Sequence, residues 1–186
     1  IIVSEHISAD GFMAGENGEM DWIRFDEALL DFVGQFTAAA DTALYGRKTW
    51  EMMDAYWPTA ADKPGASKHA VEHSAWYNSV DKIVLSNTMQ GEQQMKTNFL
   101  GDDIRSAITA LKNKPGKDIL MFGSATAAHT LMQYQLIDEY WLFVNPVLLG
   151  KGIRLFEGLE SKVDLLAKET KSFGCSVTAL HFTVMQ

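Results

Sequence analysis

Cysteine is almost absent from this 186-residue chain, where Cys175 is the one thiol. A lone cysteine excludes an internal disulfide framework and a zinc site built from several cysteines, and it suits a reducing compartment. Long apolar runs are missing too: none approaches the ~20 residues that cross a bilayer as a helix. The opening Ile1-Ile2-Val3 carries neither the basic nor the apolar region of a signal peptide. These absences lead us to expect a cytoplasmic protein with no membrane partner. Positive charge is scarce. Lys and Arg number 16 against 24 Asp and Glu, a formal net charge of -8. That balance argues against general nucleic-acid binding, which draws its affinity from neutralised phosphates. Neither G-x-G-x-x-G nor G-x-x-x-x-G-K-[ST] nor H-E-x-x-H occurs, which removes the common dinucleotide, P-loop and zincin signatures.

What is present is ordinary for a globular protein: 47% hydrophobic and 22% charged residues. The length predicts one domain over residues 1–186. The polar stretch Thr59–Ser67, with Pro64 and Gly65, reads as a surface loop within it. Strand-like and helix-like runs alternate. Ile1–Ser8, Thr42–Tyr45, Lys82–Leu85, Ile119–Phe122, Glu139–Pro146 and Ser176–Val184 read as strands. Phe25–Ala40, Arg47–Ala55, Lys68–Asn78, Asp102–Asn113 and Ala125–Gln135 read as helices, with apolar residues spaced by three or four. Short apolar strands separated by helices predict an α/β fold with a mostly parallel sheet. The last two strands have no helix between them, which predicts an antiparallel addition at one edge.

Ligands of such sheets bind beyond the carboxyl ends of the strands. Three strands here end in small or polar residues: Gly46-Arg47, Ser86-Asn87 and Gly123-Ser124. A helix N-terminus offers unpaired N–H groups, glycine permits close approach, and a hydroxyl adds a donor. Gly46-Arg47-Lys48-Thr49 and Gly123-Ser124-Ala125-Thr126 each have this composition, and together they suit a pyrophosphate and a second phosphate. For either one alone ordinary helix capping is the stronger reading; taken together the two readings stand about level.

The segment Ser8–Trp22 contains Gly11, Gly15 and Gly18 beside Phe12, Met13, Met20 and Trp22. It reads either as a loop that folds over a ligand and excludes water or as a connection whose aromatics fill the core. If a reaction here needs a proton, a carboxylic acid or an ordered water would supply it; Asp10 is the first candidate acid, followed by Glu19 and Asp21, and a turn hydrogen bond is its alternative role. His69 and His73, four apart without a third ligand, are expected on a solvated helix face. His6, His129 and His181 carry no assigned role, Cys175 is taken as structural, and no metal site is expected.

The chain resembles the dihydrofolate reductase-like superfamily, and most of all the reductase domain of the bifunctional riboflavin-biosynthesis deaminase/reductase and its stand-alone relatives. The stretches that carry the likeness are Ser8-Ala9-Asp10-Gly11, Gly18-Glu19-Met20-Asp21-Trp22-Ile23, Asp41 to Glu51, Phe122-Gly123-Ser124, Leu136 to Tyr140 and Pro146 to Gly152. The resemblance implies a dihydrofolate reductase-like fold and an NADPH-dependent oxidoreductase. Within it Gly46, Arg47, Lys48 and Thr49 would meet cofactor phosphates, with Arg47 near the 2′-phosphate. Ser86 and Asn87 would lie by the adenosine end, and Gly123, Ser124, Ala125 and Thr126 would hold the pyrophosphate. A homodimer is implied as well. No deaminase signature is present, so reduction alone is inferred. The expected reaction is hydride transfer to a C=N or C=O carbon of a small heterocyclic or sugar-linked substrate, as in 5-amino-6-(5-phosphoribosylamino)uracil reductase. Asp10 and Trp22 are the catalytic candidates, Trp22 as a wall of the substrate pocket. In dihydrofolate reductases a carboxylate of the following helix meets the pterin, and Asp26, Glu27 and Asp31 all stand in that region. The alternatives are a true dihydrofolate reductase and a non-catalytic nucleotide-binding dimerisation module.

Overall fold

The computed structural model describes residues 1–185. Along the chain the elements are β1 (Ile2–Ser8), β2 (Phe12–Ala14), α1 (Glu27–Ala39), β3 (Ala40–Gly46), α2 (Arg47–Tyr56), a 3-10 turn (Trp57–Asp62), α3 (Lys68–Ser79), β4 (Asp81–Leu85), β5 (Gln93–Gln94), β6 (Thr97–Leu100), α4 (Ile104–Lys112), β7 (Asp118–Met121), α5 (Ala125–Gln133), β8 (Glu139–Asn145), β9 (Ile153–Arg154), β10 (Leu165–Ser172) and β11 (Thr178–Val184). The fold is α/β, with mostly parallel strands, flanking helices and antiparallel strands at the C-terminus. The described residues group into two compact units, 1–29 with 125–185, and 30–124.

In the second unit β7, β3, β4 and β6 lie side by side in that order and run parallel, and β5 adds antiparallel to β6. Ile83-Val84-Leu85 and Ala43-Leu44-Tyr45 are buried throughout, because both faces of an interior parallel strand are covered. Each large apolar side chain so placed contributes ~1.5–3 kcal/mol. In the first unit β1 and β8 are parallel, paired from Ile2↔Glu139 to Ser8↔Asn145. Beside β8 lies antiparallel β11, and β10 pairs antiparallel with β11. A separate two-stranded ribbon joins β2 to β9.

Several expectations are corrected. The helix expected from Phe25 begins at Glu27. Asp26 accepts the Leu29 N–H at 2.8 Å and so caps it, which leaves Phe25 outside and 55% exposed. Ala40 belongs to β3, which follows α1 without a turn. Thr59–Ser67 is not all loop, since its first residues continue the 3-10 turn. The strand β10 was not anticipated. Its sequence, Leu-Leu-Ala-Lys-Glu-Thr-Lys-Ser, lacks apolar alternation because nearly all of it is exposed. It is an outer strand, protected by charge and by a bulge between Ala167 and Glu169. Of the two readings of Ser8–Trp22, the buried Phe12 and Met13 support the connection that fills the core, with β2 held in its ribbon. His73 is no solvated residue: it is buried, and its ring lies 3.9 Å from that of Trp57 and near Trp76 and Phe122.

Candidate functional site

The three strand ends singled out from the sequence belong to neighbouring strands. The pairs Gly46↔Leu85 and Leu44↔Met121 fix the register, so Gly46, Ser86 and the Phe122-Gly123 turn leave the sheet along one edge. α2 starts at Arg47, directly after Gly46, which is extended and has no side chain to cap the helix. The first-turn N–H groups of α2 therefore lack a side-chain partner from their N-cap. Gly123 has φ +71°, and a Cβ there would stand 2.9 Å from Thr49 Cγ2. That contact brings Gly46–Thr49 and Gly123 together. Ser124 follows, also in the left-handed region at φ +75°. Ala125 and Thr126 open α5.

The side chains around these ends differ in how far they are already used. Arg47 Nη1 meets Glu51 Oε1 at 2.7 Å on the surface of α2, a pair worth only ~0.3–0.5 kcal/mol and easily exchanged for a phosphate. Lys48 is exposed. Ser86 is buried and its hydroxyl accepts the Met89 N–H at 3.2 Å, which is turn chemistry. Asn87 is exposed. Gly101 was not singled out from the sequence, yet a Cβ there would lie 3.0 Å from the Ser86 carbonyl oxygen. Behind this edge the same unit buries Tyr45 Oη, Trp50 Nε1 and both ring nitrogens of His73 without a hydrogen-bond partner. Burial pushes the Tyr45 hydroxyl up. Burial, helped by the charge of His69, brings His73 down to about 3.

The Asp10 region is built in the opposite way. The Ser8 hydroxyl donates to Asp10 Oδ1 at 2.7 Å and itself accepts the Phe12 N–H at 2.9 Å. Leu149 N–H donates to Asp10 Oδ1 at 3.1 Å and Gly150 N–H to Oδ2 at 2.8 Å. These bonds, the Ser8 hydroxyl first and the Gly150 amide next, bring the Asp10 carboxyl down to about 2. It is ionised at neutral pH and has no proton to give. This geometry supports the structural reading of Asp10, in which the carboxylate ties the end of β1 to the Leu149-Gly150 turn. The other carboxyls with resolved shifts move the same way. Glu19 is lowered by the Asn17 side chain and by main-chain N–H groups. Asp26 is lowered by the Leu29 and Cys175 amides. Asp21 and Glu27 are exposed, and Asp31 pairs with Lys68 at 2.8 Å.

Trp22 is half-buried, and its Nε1–H donates to the Glu19 carbonyl at 3.0 Å. Two neighbours in this unit escaped the sequence reading. Asn145, wholly buried at the end of β8, accepts the Arg24 N–H at 2.9 Å. His6 stacks on Phe143 and meets Phe25 edge-on, each with ring centroids 5.0 Å apart. Desolvation brings His6 down to about 4. The one hint in the sequence was an Asn-Pro pair closing a strand. Among the described residues no cluster of three metal-ligating side chains occurs, and no helix is long and apolar enough to cross a membrane.

A family model described as the RibD C-terminal domain matches residues 1–179. An uncharacterized protein of Bacillus subtilis, YyaP, is 34% identical over 186 residues, covering 98% of this chain and 93% of that one. A putative riboflavin biosynthesis protein from Shewanella sp. PV-4 has a similar structure, with TM-score 0.74 and 24% identity, covering 100% of this chain and 98% of that one. A diaminohydroxyphosphoribosylaminopyrimidine deaminase/5-amino-6-(5-phosphoribosylamino)uracil reductase from Thermotoga maritima gives TM-score 0.69 at 16% identity. There the match covers 99% of this chain and 56% of the other. These likenesses establish the dihydrofolate reductase-like fold.

Proposed function

Because this chain belongs to the RibD C-terminal domain family, we propose that it is an NADPH-dependent reductase of the riboflavin-biosynthesis type. The observation that carries the reading is the cradle of main-chain groups where β3 and β7 end. The start of α2 has no side-chain cap, and a Cβ added at Gly123 would stand 2.9 Å from Thr49 Cγ2, so the backbone at both places is open to close approach. A phosphate fits such a cradle, since helix N–H groups and the dipole both favour an anion. Arg47 and Lys48 would neutralise the 2′-phosphate region. Gly123, Ser124, Ala125 and Thr126 would receive the pyrophosphate, and Ser86 and Asn87 the adenosine end. When bound, the reduced nicotinamide would supply a hydride, two electrons and one hydrogen, to a C=N or C=O carbon.

The product nitrogen or oxygen then needs one proton. With Asp10 held ionised, water is the source this reading assigns, and Asp10 becomes the residue that sets the Leu149-Gly150 turn. Trp22 serves as a wall that limits solvent, which favours transfer by orientation and exclusion of water. The substrate class is a small heterocycle bearing a sugar or sugar-like chain. A homodimer in the cytoplasm completes the proposal. Leu148, Ile153, Phe156, Leu159 and Val163 are each exposed between residues 148 and 163 of the first unit.

The test is a titration with NADPH, and separately with NADH, followed by tryptophan fluorescence. Trp50 stands in the first turn of α2 and reports on the cradle. Saturable NADPH binding at least tenfold tighter than NADH is expected. Binding of neither would overturn the reductase reading in favour of a non-catalytic module.

A further inference from the structure

Asn145 is fully buried, and both ends of its amide are committed. Its Oδ1 accepts the Arg24 N–H at 2.9 Å. Its Nδ2 donates to the Phe143 carbonyl at 3.0 Å and, more weakly, to the Ile7 carbonyl at 3.4 Å. Turning the amide over would set N–H against N–H and oxygen against two carbonyls, so three main-chain groups fix its orientation. The Nδ2 group also faces His6 Nδ1 at 3.2 Å. A ring nitrogen that faces a donor must present a lone pair, which places the His6 proton on Nε2. That N–H finds no acceptor among the described residues, and His6 keeps some accessible surface.

Position gives this pair its meaning. His6 lies near the carboxyl end of β1 and Asn145 at the carboxyl end of the parallel β8, the end at which such sheets bind ligands. Arg24, which Asn145 holds, follows Trp22 by two residues. We propose that Asn145 is a positioning residue: it locks His6 as a neutral Nε2–H donor and pins the Trp22–Phe25 segment as one wall of the substrate side. The inference rests on the reductase reading for the word substrate, but its geometry is testable without substrate or cofactor. No charged group contributes to the shift of His6, which comes from desolvation, so the neutral form persists through the working range.

The experiment is nitrogen-15 NMR of the histidine-labelled full chain, with amide hydrogen exchange of the same sample. In the wild type His6 is expected as a single neutral tautomer between pH 5 and 8, protonated on Nε2, with the Arg24 amide strongly protected. In Asn145→Ala the tautomers should mix and Arg24 should exchange at least ~tenfold faster, while NADPH quenching of Trp50 stays the same. Protonation on Nδ1, a mixed tautomer in the wild type, or an unchanged Arg24 in the variant would each overturn the inference. A wild-type spectrum with the proton on Nδ1, or with mixed tautomers, overturns the inference even if the variant does not fold. Failure to bind NADPH would sink the reductase reading and leave this spectrum as it is. An Nδ1–H histidine in a protein that binds NADPH would sink the inference alone.

Discussion

The strand ends around Gly46 and Gly123 and the turn around Asp10 treat hydrogen bonds in opposite ways. In the first region capacity is left over. A helix starts uncapped, and Tyr45, Trp50 and His73 are buried without partners. In the second region capacity is used up: Asp10 accepts three bonds and Asn145 engages four groups. Unsatisfied buried groups cost ~1–3 kcal/mol each, so the first region carries a cost that the second does not. A self-satisfied region contributes shape instead, and it changes little when something binds.

The largest effect is expected where the leftover capacity is tightest. Gly123→Val sets a side chain against Thr49 at a positive φ. It should weaken NADPH at least ~100-fold, or ~2.7 kcal/mol, by fluorescence titration. Thr49→Ser removes Cγ2 and should recover part of that loss. If Gly123→Val binds normally, the cradle is not the phosphate site. Next comes Arg47→Ala, with the preference for NADPH over NADH falling ~tenfold in the same titration. Its melting temperature should hardly move, because the Glu51 pair contributes little.

His73 offers a smaller change, in stability alone. Its folded pKa is about 3 against 6.5 free, so below pH 6.5 the unfolded chain binds a proton that the folded one refuses. Stability therefore falls as pH drops from 6.5 towards 3, by up to ~1.4 kcal/mol per unit. His73→Phe should flatten that slope in urea melts at pH 7, 5 and 4, and should be near neutral or stabilising at pH 7. An unchanged slope would assign the acid sensitivity elsewhere, with His6 next to be replaced. The smallest effect on turnover is expected for Asp10→Asn. A general acid is worth ~100-fold or more, whereas an anchor should cost about tenfold or less and lower the melting temperature along with it. Loss of turnover with an unshifted melt would restore Asp10 as the acid.

The sequence was most informative where backbone and pattern coincide. β3, β4 and β7 are short apolar strands followed by Gly46, Ser86 and Gly123, so their ends could be found from composition alone. Helices α2, α3 and α5 began where expected: α3 is capped by the Ser67 hydroxyl, which accepts the Ala70 N–H, and α2 and α5 follow the glycine-bearing strand ends. What escaped depended on distant partners. β10 carries no apolar alternation, since as an outer strand it buries almost nothing. Asn145 and His6 look unremarkable in the chain, and 139 residues separate them. His73 sits on a helix whose apolar stripe is weak, so its burial follows from Trp57 and Phe122 arriving from other segments. Asp10 was found, but its protonation state depends on amides 139 and 140 residues away.

A cradle made of main-chain N–H groups asks little of side-chain identity. Apart from Gly123, where a Cβ would strike Thr49, its donors survive any substitution other than proline that leaves β3 running straight into α2. On the proposed reading, such a site can drift far in sequence while it keeps its place for a phosphate. The proposed substrate wall has no such freedom, because each bond of Asn145 and Asp10 is made by one named side chain. Divergence within this fold should accordingly alter what is reduced before it alters what does the reducing.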